Sequence, residues 1–261
     1  MSFPAAGPSD KPMSEHGLGG SMSLPLLPVA PGWATGQVHR VDDPITWTSG
    51  REAPEVTVLP ALWWPPPHPL PGNSRAVILV GLPVAPSTGG PALPTVAGAD
   101  ADLLEEGERV EVNGSKGTIA IEGVEEVGVV TAFLEREDGR ILLLQRSEKV
   151  GSFRGRWAGV SGYLEDPTPL DQVYREIREE VGIERKDLDL VAEGHPVLAR
   201  DGSRVFVVFP FRFLVRAPEI RLDWESTRAE WVDPREIRQR LTVPKLDRAW
   251  SQVGERPVPK S

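Results

Sequence analysis

Apolar and β-branched residues in the C-terminal half of the chain gather in short runs that are typical of β-strands. Residues 127–135 and 140–146 are strand-like runs, and the Glu137-Asp138-Gly139 sequence between them favours a hairpin turn. Further elements are predicted downstream: strands at 188–192, 197–199 and 205–215, then a short helix at 235–241. The pattern therefore predicts a mixed α/β domain.

One segment between these strands has the period of an α-helix. Apolar residues recur every three or four positions, at Leu170, Val173, Ile177 and Val181. Thr168 and Pro169 are typical of an N-cap and a first helical position, and Gly182 is typical of a helix end. We therefore predict a helix that begins at Pro169 and turns one apolar stripe towards a core.

The N-terminal part differs in composition. Residues 1–24 are rich in glycine, proline and serine, which predicts a flexible leader. The chain has 261 residues, and a domain typically has roughly 100 to 200, so two domains are expected. We place a smaller β-rich domain at 25–123, the α/β domain at 125–254 and a tail at 255–261.

Composition excludes some kinds of site and partner. The chain has no cysteine, so structural disulfides and thiolate zinc sites are excluded. Its net charge of -9 argues against strong nonspecific binding to nucleic acid. No apolar run reaches transmembrane length, and residues 24–28 are too short and proline-broken for a signal core. We expect a soluble, cytoplasmic protein with no membrane partner.

The predicted helix carries the strongest chemical signal. Glu176 precedes Glu179 by three positions and Glu180 by four, so the carboxylates lie on neighbouring turns of one helix surface. Carboxylate oxygens suit magnesium or manganese, and Mg2+ is commonly shared with substrate phosphates. Arg175, one turn before Glu179, is placed to pair with it. The alternative is that the charged run is simply a solvated helix face.

The segment from Arg175 to Ile183 resembles the core of the Nudix box, G-x5-E-x7-R-E-U-x-E-E-x-G-U, where U is a bulky aliphatic residue. All nine positions from the arginine onwards agree with that pattern. The surrounding strands, and Leu222-Asp223-Trp224-Glu225, are also similar to members of this family. Over residues 125–254 the resemblance implies a Nudix α/β/α sandwich, here preceded by a smaller β-rich, swivel-like domain.

The upstream half of the box departs from the family. The expected glutamate position holds Pro167, and the expected glycine position holds Ser161. A deletion of one residue in the turn aligns Ser161-Gly162-Tyr163-Leu164-Glu165 with the usual G-G-x-U-E. The first glutamate of the box is then missing, and Glu165 or Asp166 is left as its replacement. Either could equally be a polar turn residue before a helix.

By resemblance, the family hydrolyses a nucleoside diphosphate linked to another group, with divalent metal. This implies metal binding by Glu176, Glu179, Glu180 and the carbonyl of Gly162, with Arg175 orienting a glutamate. The base is left open among Glu165, Glu176 and Glu225. Arg146 and Arg156 are candidates for phosphate contacts, although both could be ordinary solvated arginines. Arg228 stands where many members carry glutamate.

Residues 25–123 carry a second resemblance, to the swivelling phosphohistidine domain of phosphoenolpyruvate-utilising enzymes. It rests on residues 29–38, Gly89-Gly90-Pro91, 93–98 and 104–114. The helix with the phosphorylated histidine is absent, and His39 and His68 lie outside the motif. A plain proline-rich β domain is the alternative. Roles as a spacer, a substrate lid or a dimerisation module all stay open.

The sequence therefore predicts a Nudix pyrophosphohydrolase that uses Mg2+ or Mn2+ and cleaves a diphosphate linkage by water attack at phosphorus. Its expected partner is a small diphosphate compound, nucleotide-derived, and a homodimer is left open. One alternative is a Nudix-fold module that binds a nucleotide without cleaving it, which the missing first glutamate and Arg228 favour. Another is a phosphotransfer or carrier protein, which loss of the histidine segment disfavours.

Overall fold

The computed structural model describes most of the chain between Leu24 and Gly254. The described residues are 24–41, 55–66, 69–70, 72–81, 93–100, 102–216 and 219–254. Nearly all of the predicted leader, the tail at 255–261, Gly89-Gly90-Pro91 and His68 lie outside them. Two eight-stranded sheets are formed by these residues, and the chain passes from one sheet to the other between Ile121 and Glu125.

The first sheet forms the N-terminal unit. Its strands are β1 (Leu24–Pro25), β2 (Leu27–Ala30), β3 (Trp33–Arg40), β4 (Glu55–Pro60), β5 (Ser74–Val80), β6 (Thr95–Ala99), β7 (Arg109–Asn113) and β8 (Thr118–Ile121). A 3-10 helix, Ala61–Trp63, follows β4. The strand order is β1-β8-β7-β3-β4-β5-β6-β2. Neighbours from β3 to β6 run parallel, and β4 is buried along nearly its whole length, as is usual for parallel strands covered on both faces.

The second sheet forms the C-terminal unit. Its strands are β9 (Glu125–Glu135), β10 (Ile141–Arg146), β11 (Trp157–Ala158), β12 (Val160–Tyr163), β13 (Leu188–Glu193), β14 (Val197–Asp201), β15 (Arg204–Val215) and β16 (Ser226–Val232). The main path is β11-β10-β9-β15-β13, with β12 paired to β9, β14 to β15 and β16 to β10. The long pair β9 and β15 runs parallel, whereas the other pairs are antiparallel.

The strands predicted from strand-like runs and turn signals are confirmed as β9, β10, β13, β14 and β15. The predicted central helix is confirmed as α1, Pro169–Val181, with Thr168 as N-cap and Gly182 as a left-handed C-cap. The predicted helix at 235–241 is instead a 3-10 helix, Pro234–Gln239, that ends before Leu241. Its capping box between Asp233 and Glu236 fixes the start. Strand β16 was not predicted.

A second α-helix, α2 (Leu246–Val253), and a short 3-10 helix, Arg185–Asp187, complete the C-terminal unit. Alternating residues of β9 belong to two buried clusters. Val130, Ala132 and Leu134 pack in a cluster with α1, whereas Phe133 packs in a cluster with α2. The two helices therefore cover opposite faces of the sheet. Among the described residues, no helix has the length and apolar character needed to cross a membrane.

The conformation of Gly182 generates a stability prediction. Gly182 has φ of 71° and donates its amide to the Arg178 carbonyl at 3.1 Å, which closes the last turn of α1. Alanine there is expected to lower the free energy of unfolding by about 1 to 2 kcal/mol, because a Cβ disfavours the left-handed region. Urea unfolding followed by tryptophan fluorescence measures this loss.

The matched control is Gly72→Ala. Gly72 has no positive φ, and a Cβ there would meet no atom within 4 Å, so no loss of stability is expected. Equal unfolding midpoints for Gly182→Ala and the wild type would contradict the prediction.

Candidate functional site

A cavity of about 500 Å³ opens between α1, the strands of the C-terminal unit and the start of α2. Its lining includes both acidic and apolar residues. The acidic residues are Glu165, Glu176, Glu179 and Glu225. The apolar residues include Val150, Phe153, Phe206, Val208, Leu246 and Ala249. Phe153 and Phe206 meet edge to face, with ring centroids 5.9 Å apart.

The three glutamates of α1 differ in exposure because they lie at different angles around the helix. Glu180 is buried, with 6% of its surface exposed, Glu176 is half-buried, and Glu179 is exposed. The buried Glu180 carboxylate accepts a hydrogen bond from the Ser161 amide at 2.8 Å. This bond joins α1 to β12 and gives one oxygen of the buried charge a partner.

Gly162 permits the close approach of Glu176. A Cβ at Gly162 would lie 2.1 Å from the Glu176 carboxyl carbon. Any other residue would therefore displace this carboxylate or separate β12 from α1. The structure thus brings Gly162 and Glu176 together, as the resemblance implied for a shared site.

Arg175 does not pair with Glu179, contrary to the expectation from helical spacing. Its guanidinium lies 3.1 Å from Glu165 Oε2 and 3.1 Å from Asp166 Oδ2. The ion pair found for Glu179 is with Arg178, at 3.9 Å. Geometry explains the difference, because the loop before α1 folds back over the helix and brings two nearer carboxylates. Glu165 and Asp166 are the two candidate replacements for the missing box glutamate, and Arg175 pairs with both.

Gln172 is a site residue that sequence reasoning missed. It is fully buried, and its side-chain oxygen accepts the amides of Glu165 and Asp166, each at 2.8 Å. Its side-chain nitrogen donates to Glu176 Oε1 at 2.5 Å. Gln172 therefore links the loop before α1 to a cavity carboxylate. The available signal was a polar residue directly beside the apolar stripe.

A second acidic segment faces α1 from the loop before β16. Asp223 donates its amide to the Glu180 carbonyl at 3.2 Å, and its side chain accepts the Glu225 amide at 2.9 Å. The Glu225 carbonyl in turn accepts the Ser147 amide at 2.7 Å. These backbone contacts hold the loop against the end of α1. Asp223 was not predicted as a site residue, although its position two before Glu225 was a signal.

Burial raises the pKa of four carboxyl groups here above their ordinary values. They are Glu176, Glu180, Asp223 and Glu225. Neighbouring carboxylates add to the effect of burial: Glu179 raises the pKa of Glu176, and Glu176 raises the pKa of Glu180. The site therefore concentrates negative charge that its own cations do not neutralise, and a bound cation would relieve this repulsion.

Residues 126–252 match the family model described as NUDIX domain. We call this range the Nudix segment. It contains α1, the acidic loop before β16 and every residue that lines the cavity. No curated protein matches the chain.

Several solved structures are similar to this chain. The MutT protein of Methanosarcina mazei Go1 has 22% identity and a TM-score of 0.45, with 52% of this chain and 96% of that chain covered. An Ap4A hydrolase of C. elegans has 17% identity and a TM-score of 0.42, with 49% and 95% covered. The NUDIX domain of Shewanella oneidensis NrtR, complexed with ADP ribose, has 18% identity and a TM-score of 0.41, with 49% and 85% covered. These likenesses are too distant to add to the family match.

The donor set of the Nudix segment fits a hard divalent cation. Among the residues that the structure describes, no three acidic, histidine or cysteine side chains form a ready-made metal site. The available donors are nevertheless carboxylate oxygens, which Mg2+ and Mn2+ prefer. The raised pKa values of Glu176 and Glu180 show that their charged forms lack sufficient compensation. Glu176, Glu179 and Glu180 are the residues that would hold such an ion.

The arginines predicted to contact substrate take different places. Arg146 lines the cavity, donates to the Ser152 carbonyl at 3.0 Å and lowers the pKa of Glu225, partly offsetting the effect of burial. Arg156 donates to the Thr242 carbonyl at 3.0 Å and is not among the cavity residues. The structure therefore brings Arg146 and Glu225 to one cavity, and Arg156 stays outside it. Arg228 pairs with Glu230 on β16, at 2.6 Å.

Glu180→Gln is expected to stabilise the metal-free protein at neutral pH. Burial raises the pKa of Glu180 well above the ordinary 4.5, so the folded state binds this proton more tightly than the unfolded state. The stabilisation that this tighter proton binding gives the folded state is fully present below the unfolded-state pKa of Glu180. It is lost as pH rises through the folded-state pKa. Glutamine removes the charge and keeps an oxygen for the Ser161 amide.

Urea midpoints in the presence of EDTA, measured from about pH 4 to pH 8, test this expectation. The urea midpoint of Glu180→Gln should exceed that of the wild type at the highest pH of this range. The difference between the two midpoints should shrink as the pH is lowered. Glu193→Gln, at an exposed position of β13, is the control and should show no such gain. Parallel curves for wild type and Glu180→Gln would contradict the assignment of a costly buried charge.

Proposed function

We propose that the Nudix segment is a divalent-metal-dependent hydrolase that cleaves a diphosphate linkage in a nucleoside diphosphate derivative. One observation carries this proposal: carboxylates from α1 and from the loop before β16 line one cavity that is large enough for a small ligand. The match of residues 126–252 to the NUDIX domain model supports it. A solvated helix face would not bury Glu180 or hold Glu176 against Gly162.

Each part of the site has a role in this proposal. Glu176, Glu179 and Glu180 hold Mg2+ or Mn2+, and the Gly162 carbonyl is a further candidate ligand. Such an ion would polarise a phosphoryl oxygen and favour ionisation of bound water. Arg146 binds phosphate from the β10 side of the cavity. The apolar residues that line the cavity contact the group attached to the diphosphate.

Arg175 acts as a positioning residue. Its side chain also donates to the Gln172 oxygen at 2.9 Å, and Gln172 in turn donates to Glu176. The ion pairs of Arg175 with Glu165 and Asp166 thus fix the loop whose amides Gln172 accepts. This chain of contacts holds the Glu176 carboxylate against Gly162 before any ligand binds.

Among the candidate bases, the contacts favour Glu225. Glu165 is bound by Arg175 and its side chain is 59% exposed, and Glu176 accepts from Gln172. The Glu225 side chain lines the cavity, and burial raises its pKa, which makes it a stronger base. We therefore assign Glu225 to accept the proton of the attacking water. Glu165 then serves as the partner of Arg175.

Loss of the α1 carboxylates should abolish turnover. Glu179→Gln and Glu180→Gln are expected to lower kcat by about 100-fold or more, because each removes charge that would hold the ion. The measurement is the release of phosphomonoester products from a panel of diphosphate compounds with Mg2+ or Mn2+, and EDTA should abolish it. Glu193→Gln is the exposed control and should keep wild-type activity.

The alternative, a Nudix-fold module that binds nucleotide without cleaving it, gives a different result in the same experiment. It predicts no turnover of any compound by the wild type, with metal-independent nucleotide binding that survives in both variants. The missing first glutamate of the box and Arg228 motivate this alternative. Retention of all three α1 glutamates opposes it.

The base assignment can be tested by comparing two substitutions. Glu225→Gln should lower kcat by about 100-fold or more with little change in KM, because a general base acts in the chemical step. Glu165→Gln leaves Asp166 to pair with Arg175 and should lower kcat much less. Steady-state kinetics on the best substrate of the panel decides between them. The reverse ranking of the two kcat values would assign the base to Glu165.

A further inference from the structure

We infer that the N-terminal unit positions one wall of the cavity: Asp100 and Asp102 hold Lys245 and the first turn of α2 in place. Both aspartates belong to the N-terminal unit, and Lys245 is a cavity residue of the C-terminal unit. The inference gives residues 24–121 a role in the site that the Nudix segment alone does not supply.

Lys245 is fixed by two carboxylates. Its ammonium nitrogen lies 2.7 Å from Asp102 Oδ2 and 3.3 Å from Asp100 Oδ2. The backbone of Lys245 has φ of 62° and ψ of 16°, a left-handed conformation that a lysine rarely adopts without external contacts. This residue is also the N-cap of α2. The ion pairs therefore act at the point where the chain turns from the cavity wall into the helix.

Asp100 reaches α2 at a second point. Its carboxylate also pairs with Arg248, three residues after Lys245 and on the neighbouring turn. Asp100 is itself largely shielded, with 13% of its side chain exposed, as is Lys245 with 17%. Ion pairs shielded from water are stronger than exposed ones, because screening is weaker. One aspartate of the N-terminal unit thus binds both the start and the first turn of α2.

The same turn forms the apolar wall of the cavity. Val243, Pro244, Leu246 and Ala249 line it together with Lys245. Leu246 and Ala249 are each 2% exposed and pack into the cluster that joins α2 to the sheet. A shift of Lys245 would therefore move side chains that face the ligand. The hydrogen bonds that hold the α1 carboxylates, from Gln172 and from the Ser161 amide, do not involve Lys245.

The segment that carries the two aspartates is itself firmly docked. Leu103 and Leu104, each 1% exposed, share a buried cluster with Val205 and Val207 of β15. Arg200 of β14 donates to both carboxylate oxygens of Glu108, at 2.8 and 2.5 Å, and to the Leu103 carbonyl at 2.8 Å. The apolar contact and the bidentate ion pair together fix the position of the segment that carries Asp100 and Asp102.

Two measurements on the full chain test the inference. Asp100→Asn should speed amide hydrogen exchange in Leu246–Val253, and this arm is independent of any catalytic activity. The kinetic arm rests on the proposed function. In Asp100→Asn, KM should rise by about threefold to tenfold and kcat should change by less than about twofold, because the fit of the ligand changes and the reacting groups do not.

The matched control is Glu122→Gln, which removes the exposed ion pair with Arg109 at 3.6 Å in the same unit. It should alter neither exchange in α2 nor KM. A double-mutant cycle with Asp100→Asn and Lys245→Met should show KM effects that are less than additive, because the two side chains act as one pair. Such coupling would not arise from a general loss of stability.

The outcomes separate this inference from the proposed function. Wild-type exchange rates in α2 of Asp100→Asn would overturn the inference, whatever the activity. Altered exchange with an unchanged KM, in a protein that hydrolyses its substrate, would also overturn it. Failure of the wild type to hydrolyse any compound, with faster exchange in the variant, would reject the hydrolase and leave the positioning contact supported.

Discussion

The close approach of α1 to β12 is the contact on which the site depends. A glycine at position 162 lets the Glu176 carboxyl group lie in this contact, because a Cβ there would overlap that group. The same approach buries Glu180 where the Ser161 amide donates to it. A buried carboxylate is costly without compensation. Packing of the apolar stripe of α1 therefore offsets the free-energy cost of holding these charges at a ligand cavity.

The free-energy cost of burying these carboxylates is consistent with a site that binds a cation. Raised pKa values on α1 and on the acidic loop before β16 share one cause, burial, with mutual repulsion in addition. Many acidic residues elsewhere in the described part of the chain have a basic partner, as Asp189 has in Arg216. Perturbed groups gathered at a cavity are typical of functional sites. The contrast between these two groups of acids is what separates the site from the ordinary charged surface.

The N-terminal unit contributes to this arrangement through one docked segment. Its apolar contact, Leu103 and Leu104 against β15, supplies burial, and the bidentate pair of Arg200 with Glu108 supplies orientation. Together they bring Asp100 to α2, whose first turn lines the cavity. The two walls of the cavity are then held by different means: hydrogen bonds within one unit, and ion pairs between two units.

The sequence alone determined the local elements of the C-terminal unit. Thr168, Pro169 and Gly182 defined the ends of α1, since caps depend on near neighbours. Helical spacing placed three carboxylates on neighbouring turns, and strand-like runs predicted five strands of the C-terminal sheet. These features have short-range causes, so a linear pattern suffices to find them. The N-terminal phosphohistidine resemblance stays a prediction, because part of its motif lies outside the described residues.

Only the tertiary structure decided which side chains meet. Spacing suggested that Arg175 pairs with Glu179, yet the folded loop offers Glu165 and Asp166 instead. Gln172 looked like an ordinary helix residue until its four side-chain hydrogen bonds were seen, and Lys245 gave no signal of its partners in the other unit. Such contacts join residues that are distant in sequence or lie on opposite sides of a turn. Their geometry depends on how the sheets and helices pack, which no local pattern encodes.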